Sequence, residues 1–363
     1  MGQMEEYLKE AVNVYGASDI FVVAGREISF RIHDLVQGRT EASLKAGEMK
    51  VSPKLFDKEV NELVDEIYQL AGRDKTHFNE TGDDDFSFAL RGVSRFRVNA
   101  YKQRGTQAAV IRVIRFDLPD YRDLGIPETV IELADEQKGM VLVTGPAGSG
   151  KSTTLACIVD AINKNYNKHI ITLEDPVEFL HRHDKSVISQ REVRLDTANY
   201  VTALRASLRQ SPDVILLGEM RDTETISTAM TAAETGHLVL STLHTIGAAN
   251  TIDRIIDSFP AAQQHQIALQ FSMVITAIVS MQLVPTVDGR LAAAFEVMKA
   301  NPAIRNMIRE SKIPQIEGQL YASDTPDMLS MDTSLYKLYK EGVISDKTAL
   351  EFASKPEMLG RKL

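Results

Sequence analysis

The chain has 363 residues, a net charge of −9 at pH 7, 44% hydrophobic residues and 25% charged residues, which excludes wholesale disorder and predicts about two domains. A single cysteine, Cys157, excludes an intramolecular disulfide and a multi-cysteine zinc site. The acidic balance argues against a general nucleic-acid binder. The start, Met1-Gly2-Gln3-Met4-Glu5-Glu6, lacks the basic and apolar regions of a signal peptide. The most apolar window, 271–284, is interrupted by Ser272, Thr276, Ser280 and Gln282 and is too short to span a bilayer. The expectation is a cytoplasmic protein without direct membrane insertion.

In chain order, Ile20 to Val23 and Ile28 to Ile32 read as strands with Gly25 as the turn, and Leu55 to Leu70 carries helical spacing. The acidic cluster Glu80, Asp83, Asp84 and Asp85 precedes residues 91–115, which hold seven basic residues and no acid. That block reads either as a face that meets phosphate or as a solvated sheet face. Within it, Phe96, Val98 and Ala100 alternate with Arg97, Asn99 and Tyr101, the period of a half-buried strand. Gln103 to Thr106 is a turn, and Ala108 to Ile114 is the return strand. Residues 1–116 form a small α+β domain, and a connector over 117–124 leads to a second domain over 125–363.

In the second domain Pro127 suits the first turn of a helix running to about Glu136. Strands over Met140–Thr144, His169–Leu173, Val214–Leu217 and Leu238–Thr242 alternate with helices over 151–164, 197–209 and 222–234. Short apolar runs separated by helices imply a parallel sheet covered on both faces.

Between the first of these strands and its helix stands Gly145-Pro146-Ala147-Gly148-Ser149-Gly150-Lys151-Ser152, followed by Thr153, a complete G-x-x-x-x-G-K-[ST] loop in its confirming context. Its glycines let backbone N–H groups turn toward phosphates, and the helix N-terminus adds positive dipole. Lys151 pairs with the β- and γ-phosphates of ATP, and the Ser152 hydroxyl binds Mg²⁺. Hydrolysis needs acids at neighbouring strand ends. Glu219 follows one strand; Glu174, Asp175 and Glu178 follow another. A carboxylate there can hold Mg²⁺ through water or orient the attacking water, and the sequence leaves open which of Glu174 and Glu219 is the base. His244 ends a strand that approaches the γ-phosphate, whereas His237 begins it at the opposite end of the sheet.

These residues resemble the secretion-superfamily ATPases, and specifically the PilT family of type IV pilus retraction motors. The resemblance rests on the phosphate loop, the acidic box Glu174-Asp175-Pro176-Val177-Glu178-Phe179, the segment Leu217-Gly218-Glu219-Met220-Arg221-Asp222 and the box from His237 to His244. It also rests on Ala303-Ile304-Arg305-Asn306-Met307-Ile308-Arg309-Glu310, where Met307 replaces the usual Leu. Asn301 caps that helix and Pro302 opens it. Ile304, Met307 and Ile308 form its buried stripe, with Arg305 and Arg309 together on another face. The resemblance implies a PAS-like N-terminal domain, a RecA-like P-loop ATPase domain and a homohexameric ring that hydrolyses Mg²⁺-ATP to retract pili in twitching motility. It further implies that Arg97 and Arg112 face nucleotide, and that the partners are an inner-membrane platform protein and an accessory retraction ATPase. Pilus-assembly and type II secretion ATPases share the superfamily but carry a tetracysteine zinc element, which Cys157 alone cannot build. A RecA-like DNA translocase is opposed by the net charge and the absence of Trp.

Overall fold

The computed structural model describes residues 2–32, 35–114, 118–323 and 325–363. Arg115, at the end of the basic block, and Asp117, at the start of the connector, lie outside the described residues. The chain divides into two compact units, Met1–Phe116 and Asp117–Leu363.

The first unit holds a six-stranded antiparallel sheet: β1 (Asp19–Val22), β2 (Ser29–Ile32), β3 (Leu35–Gly38), β4 (Asp83–Leu90), β5 (Ser94–Gln103) and β6 (Thr106–Ile114), in the order β3-β2-β1-β6-β5-β4. Alternation in β5 buries Phe96, Val98 and Ala100 and turns Arg97, Asn99 and Tyr101 the other way. The buried row joins Ile20, Phe30 and Ile111 from the sheet to Met4 and Leu8 of helix Gln3–Asn13 and Val60, Val64 and Ile67 of helix Asp57–Ala71. The latter helix stops at Gly72, whose φ of +61° supplies the left-handed C-cap.

The second unit is built on β7 (Gly139–Thr144), β8 (His169–Glu174), β9 (Val187–Glu192), β10 (Val214–Leu217), β11 (Leu238–Leu243), β12 (Ile275–Pro285), β13 (Leu291–Lys299) and β14 (Met328–Leu329). Their order is β14-β13-β12-β7-β11-β10-β8-β9. β12, β7, β11, β10, β8 and β9 run parallel, and every residue of β7, β10 and β11 is buried, as expected of a sheet with helices on both faces. The sheet is nevertheless mixed, not wholly parallel: β13 and β14 add antiparallel pairings beyond β12. The apolar window 271–284 is split between the end of helix Ala261–Val274 and most of β12. Among the described residues no helix is long and apolar enough to cross a membrane.

The helix expected to start at Pro127 is a single α-turn, Glu128–Ile131, continued by a 3₁₀ turn, Glu132–Asp135. Pro127 has ψ of 143°, so it stands just before the helix, not in its first turn. The helix expected over 197–209 covers Tyr200–Ser207, because the Asn199 side chain accepts from the Thr202 N–H and sets the start there.

Candidate active site

The phosphate loop leaves the buried end of β7 and turns into helix Lys151–Asn165. Gly145, Gly148 and Gly150 have φ of +140°, +75° and +96°, values that L side chains rarely adopt. A Cβ on Gly145 would clash with the Met281 carbonyl oxygen, so β12 fixes the floor of the loop. Beyond Gly148 and its two chain neighbours, no heavy atom of the described residues lies within 4 Å of the Cβ position at Gly148, so the loop there offers an open cradle lined by backbone. Ser149 Oγ is buried with no hydrogen-bond partner among the described residues. These features fit a polyphosphate. Pro146 and Ala147 are exposed on the crest of the loop, and Thr153 is half-buried in the first turn of the helix.

Lys151 Nζ donates to the carbonyl oxygens of Gly145 at 2.9 Å and Pro146 at 2.7 Å. Burial lowers its pKa, against the opposing charges of Glu178 and Glu219. The ammonium thus rests on weak neutral acceptors, ready to exchange them for anionic oxygens.

A cavity of about 260 Å³ opens beside the loop at the carboxyl ends of β7, β8, β10 and β11. Lys151, Ser152, Glu174, Glu219 and His244 all line it. Thr172 Oγ1 donates to Glu174 Oε1 at 2.6 Å, and Gln190 Nε2 donates to the same oxygen at 3.4 Å. Burial pushes the Glu174 carboxyl up to about 7, against the lowering effect of Thr172, Gln190 and the Glu178 backbone N–H. Glu219 is paired differently: Arg221 Nη2 lies 2.5 Å from its Oε1, and His244 Nε2 lies 3.5 Å from its Oε2. Glu219 is mostly buried while both partners are exposed, so the carboxylate is anchored and the cations reach outward. The preceding Gly218 is held by a Thr242 Oγ1 donation to its carbonyl at 2.6 Å. A Cβ there would meet the Tyr200 hydroxyl at 2.8 Å, so glycine alone lets Tyr200 close over the strand end.

Asp175 and Glu178 also line the cavity, with Arg194 Nη2 3.7 Å from Asp175 Oδ2. His237 does not belong to it. Its Nδ1 lies 2.9 Å from the Ala232 carbonyl oxygen at the end of helix Thr223–Glu234, and it immediately precedes β11. The sequence assigned no role to Thr172, Gln190, Tyr200, Arg221 or Thr242, which hold or border the two glutamates; of these, Gln190, Tyr200 and Thr242 arrive only through the fold.

In the first unit Arg97 and Arg112 are register partners on β5 and β6. Arg97 makes two bonds to Asp85, at 3.1 and 2.6 Å, and Arg112 Nε donates to Asp19 Oδ1 at 3.1 Å. Asp19 also receives Arg31 at 3.2 Å, so a charged row crosses the sheet. In the second unit Arg305 and Arg309 have different surroundings. Arg305 Nη1 donates to the Ser272 and Met273 carbonyl oxygens, both at 2.8 Å, whereas Arg309 is exposed. Asn301 Oδ1 accepts from the Ile304 N–H, and Ile304 and Ile308 are buried with Met307 packed beside them.

Among the described residues no three or more His, Cys, Asp and Glu side chains are placed to cage a metal ion. Mg²⁺ needs no such cage, because it retains water and takes one or two protein groups beside the phosphates. Ser152 and Glu219 are such groups in the cavity.

A glycine-rich loop entering a helix, with acids at the ends of adjacent parallel strands, defines a P-loop nucleoside-triphosphatase. The model of the family described as Type II/IV secretion system protein matches residues 3–325, and the chain belongs to that family. It is 44% identical over 308 residues to a twitching motility protein of Neisseria gonorrhoeae, spanning 85% of this chain and 82% of that one. It is 42% identical over 342 residues to the type IV pilus retractation ATPase PilT of Pseudomonas aeruginosa, spanning 94% and 96%. A crystal structure of the pilus retraction motor PilT with bound ADP superposes with a TM-score of 0.88 at 42% identity, covering 99% of each chain.

Proposed function

We infer that this chain is the ATP-hydrolysing motor of type IV pilus retraction, acting as a homohexamer. The observation that carries the reading is the convergence of Lys151, Ser152, Glu174, Glu219 and His244 on one cavity beside an intact phosphate loop. The resemblance to retraction ATPases over nearly the whole chain supplies the direction of work. Residues 145–153 hold the triphosphate through backbone N–H groups and Lys151. Ser152 and Glu219 would hold Mg²⁺, which would supply charge neutralisation to the phosphates. Glu174 takes the proton of the attacking water: its carboxyl is buried and pushed up to about 7, near the optimum for a base at neutral pH. His244, paired with Glu219, faces the γ-phosphate. Arg97 and Arg112 act on nucleotide held by a neighbouring subunit, as an arginine finger does. Asp175, Glu178, Arg305 and Arg309 support these steps rather than perform them.

Membrane association runs through a platform protein at the inner face of the membrane, and an accessory retraction ATPase is a second partner. Steady-state hydrolysis by the purified ring, compared with the Lys151→Ala ring, tests the enzymatic reading. Turnover lost in the variant supports it. Equal phosphate release by both, or turnover that requires single-stranded DNA, would remove it.

A further inference from the structure

Glu296 lies on β13 and is buried, yet the site described above makes no use of it. Its Oε1 accepts from the Ala248 N–H at 2.7 Å, and its Oε2 accepts from the Met331 N–H at 3.4 Å. Those are the first residues of two ten-residue helices, Ala248–Asp257 and Met331–Lys340. One carboxylate therefore answers the unsatisfied donors and the positive dipole ends of two helices at once. Burial raises its pKa, against the lowering effect of these two backbone donors.

The first helix is the direct continuation of the loop that carries His244. Between them, the Gly247 N–H donates to Ser280 Oγ of β12 at 2.9 Å, and Thr251 Oγ1 donates to the Gly247 carbonyl at 2.8 Å. Gly247 has φ of +86°, so the chain reverses sharply there. The loop from His244 to Gly247 is thus tethered at β11 on one side and at Ser280 and Glu296 on the other. The second helix leads to the C-terminal segment, where Asp332 accepts from the Ser354 N–H at 2.6 Å and the Lys355 N–H at 3.0 Å. A cavity of about 260 Å³ separates residues 246–250 from these C-terminal residues, and Glu296 stands in its wall.

We propose that Glu296 is a positioning residue for hydrolysis, which fixes His244 through the Gly247–Ala248 turn and ties that turn to the C-terminal helices by its second oxygen. The proposal rests on the reading of His244 given above. A displacement of His244 at the nucleotide then has a short mechanical route to residues 331–355, through one side chain with two partners.

The test is a double-mutant cycle on the full-length ring with Glu296→Gln and His244→Ala, reading ATPase turnover and nucleotide affinity. Glutamine keeps the shape of the side chain but offers one acceptor oxygen where two N–H groups require two. Glu296→Gln is expected to lower kcat about tenfold while ATP affinity stays unchanged, and to cost nothing further in the His244→Ala background. Faster deuterium exchange at the Ala248 and Met331 amides is expected alongside. Ser280→Ala, which loosens the same turn without touching the C-terminal helices, is expected to lower kcat with affinity retained, and it serves where Glu296→Gln fails to fold. Wild-type kcat in either variant, or an equal loss of nucleotide affinity, overturns the proposal. So does a Glu296→Gln effect of full size in the His244→Ala background. Wild-type turnover in His244→Ala alone overturns the reading of His244, and with it this proposal, and is distinguished by that single variant.

Discussion

Arg97 and Arg112 stand directly opposite each other on β5 and β6, and each guanidinium is tied to a different aspartate, Asp85 and Asp19. Like charges directly across a sheet are destabilising, and the two aspartates offset this without covering the arginines, since the Arg112 side chain remains 71% exposed. A pairing that costs stability and leaves a cation presented outward fits a catalytic use better than a structural one.

Arg112→Ala is therefore expected to leave folding and ATP binding intact and to lower turnover by ~10³–10⁵ if it acts as a full arginine finger. Its removal relieves a like-charge contact, and Asp19 keeps Arg31 as a partner. Mixing Arg112→Ala with Lys151→Ala chains gives the sharper result. Each chain retains the half-site the other lacks, so mixed rings should regain part of the activity that neither parent has. With subunit exchange demonstrated by fluorescence energy transfer, no regain would place the arginine's action within one chain.

Lys151→Ala should lose both turnover and most ATP affinity, because Lys151 is the loop's only cation toward the β- and γ-phosphates. Calorimetric titration with ATP checks this; a dissociation constant equal to wild type would contradict it.

The two glutamates are separable by pH. Glu174 with a carboxyl near 7 must be ionised to accept a proton, so kcat is expected to rise with pH through about 7. Glu174→Gln should abolish turnover while retaining ATP. Glu219→Gln should lower turnover and weaken the Mg²⁺ dependence of binding, which manganese or magnesium titration reads. A normal rate in Glu174→Gln beside an inactive, Mg²⁺-competent Glu219→Gln would reverse the roles.

The same carboxyl affects stability. The folded chain holds this proton up to about 7, while the unfolded chain releases it near 4.5. Between those values the native state binds more protons, so this group's contribution to stability is present at low pH and is lost as pH rises through 7. The stability advantage of Glu174→Gln over wild type should therefore grow between pH 5 and pH 8. Paired urea melts would read a flat difference if burial did not raise the group.

Arg305→Ala is expected to cost about 1–3 kcal/mol, because a charged donor to two carbonyl oxygens at the end of helix Ala261–Val274 is removed. Arg309→Ala, on an exposed side chain four residues later, should be within about 0.5 kcal/mol of wild type. Denaturant melts that gave the two variants equal losses would contradict the assignment.

The phosphate loop, its strand and helix, and the acids beyond β8 and β10 were legible because each is a local pattern with a fixed offset from a strand. The β5–β6 pair was legible through its alternation. β9 was not, since Val187 to Glu192 is an edge strand with four polar side chains and no clean period. The β12–β13 hairpin was hidden because its apolar run continues from the preceding helix without a break. At the site, Gln190 acts on Glu174 from the neighbouring strand β9, and Arg305 meets carbonyls 32 and 33 residues away. Such contacts leave no spacing in the sequence.

Hydrolysis at this site is expected to withdraw pili. The most direct measurement is pilus retraction by single cells of the source strain after deletion of the chain and complementation with wild type or Glu174→Gln. Deletion should leave surface pili present but static, with motility restored by wild type and not by Glu174→Gln. Loss of the surface pili on deletion would contradict a retraction role and identify an assembly motor.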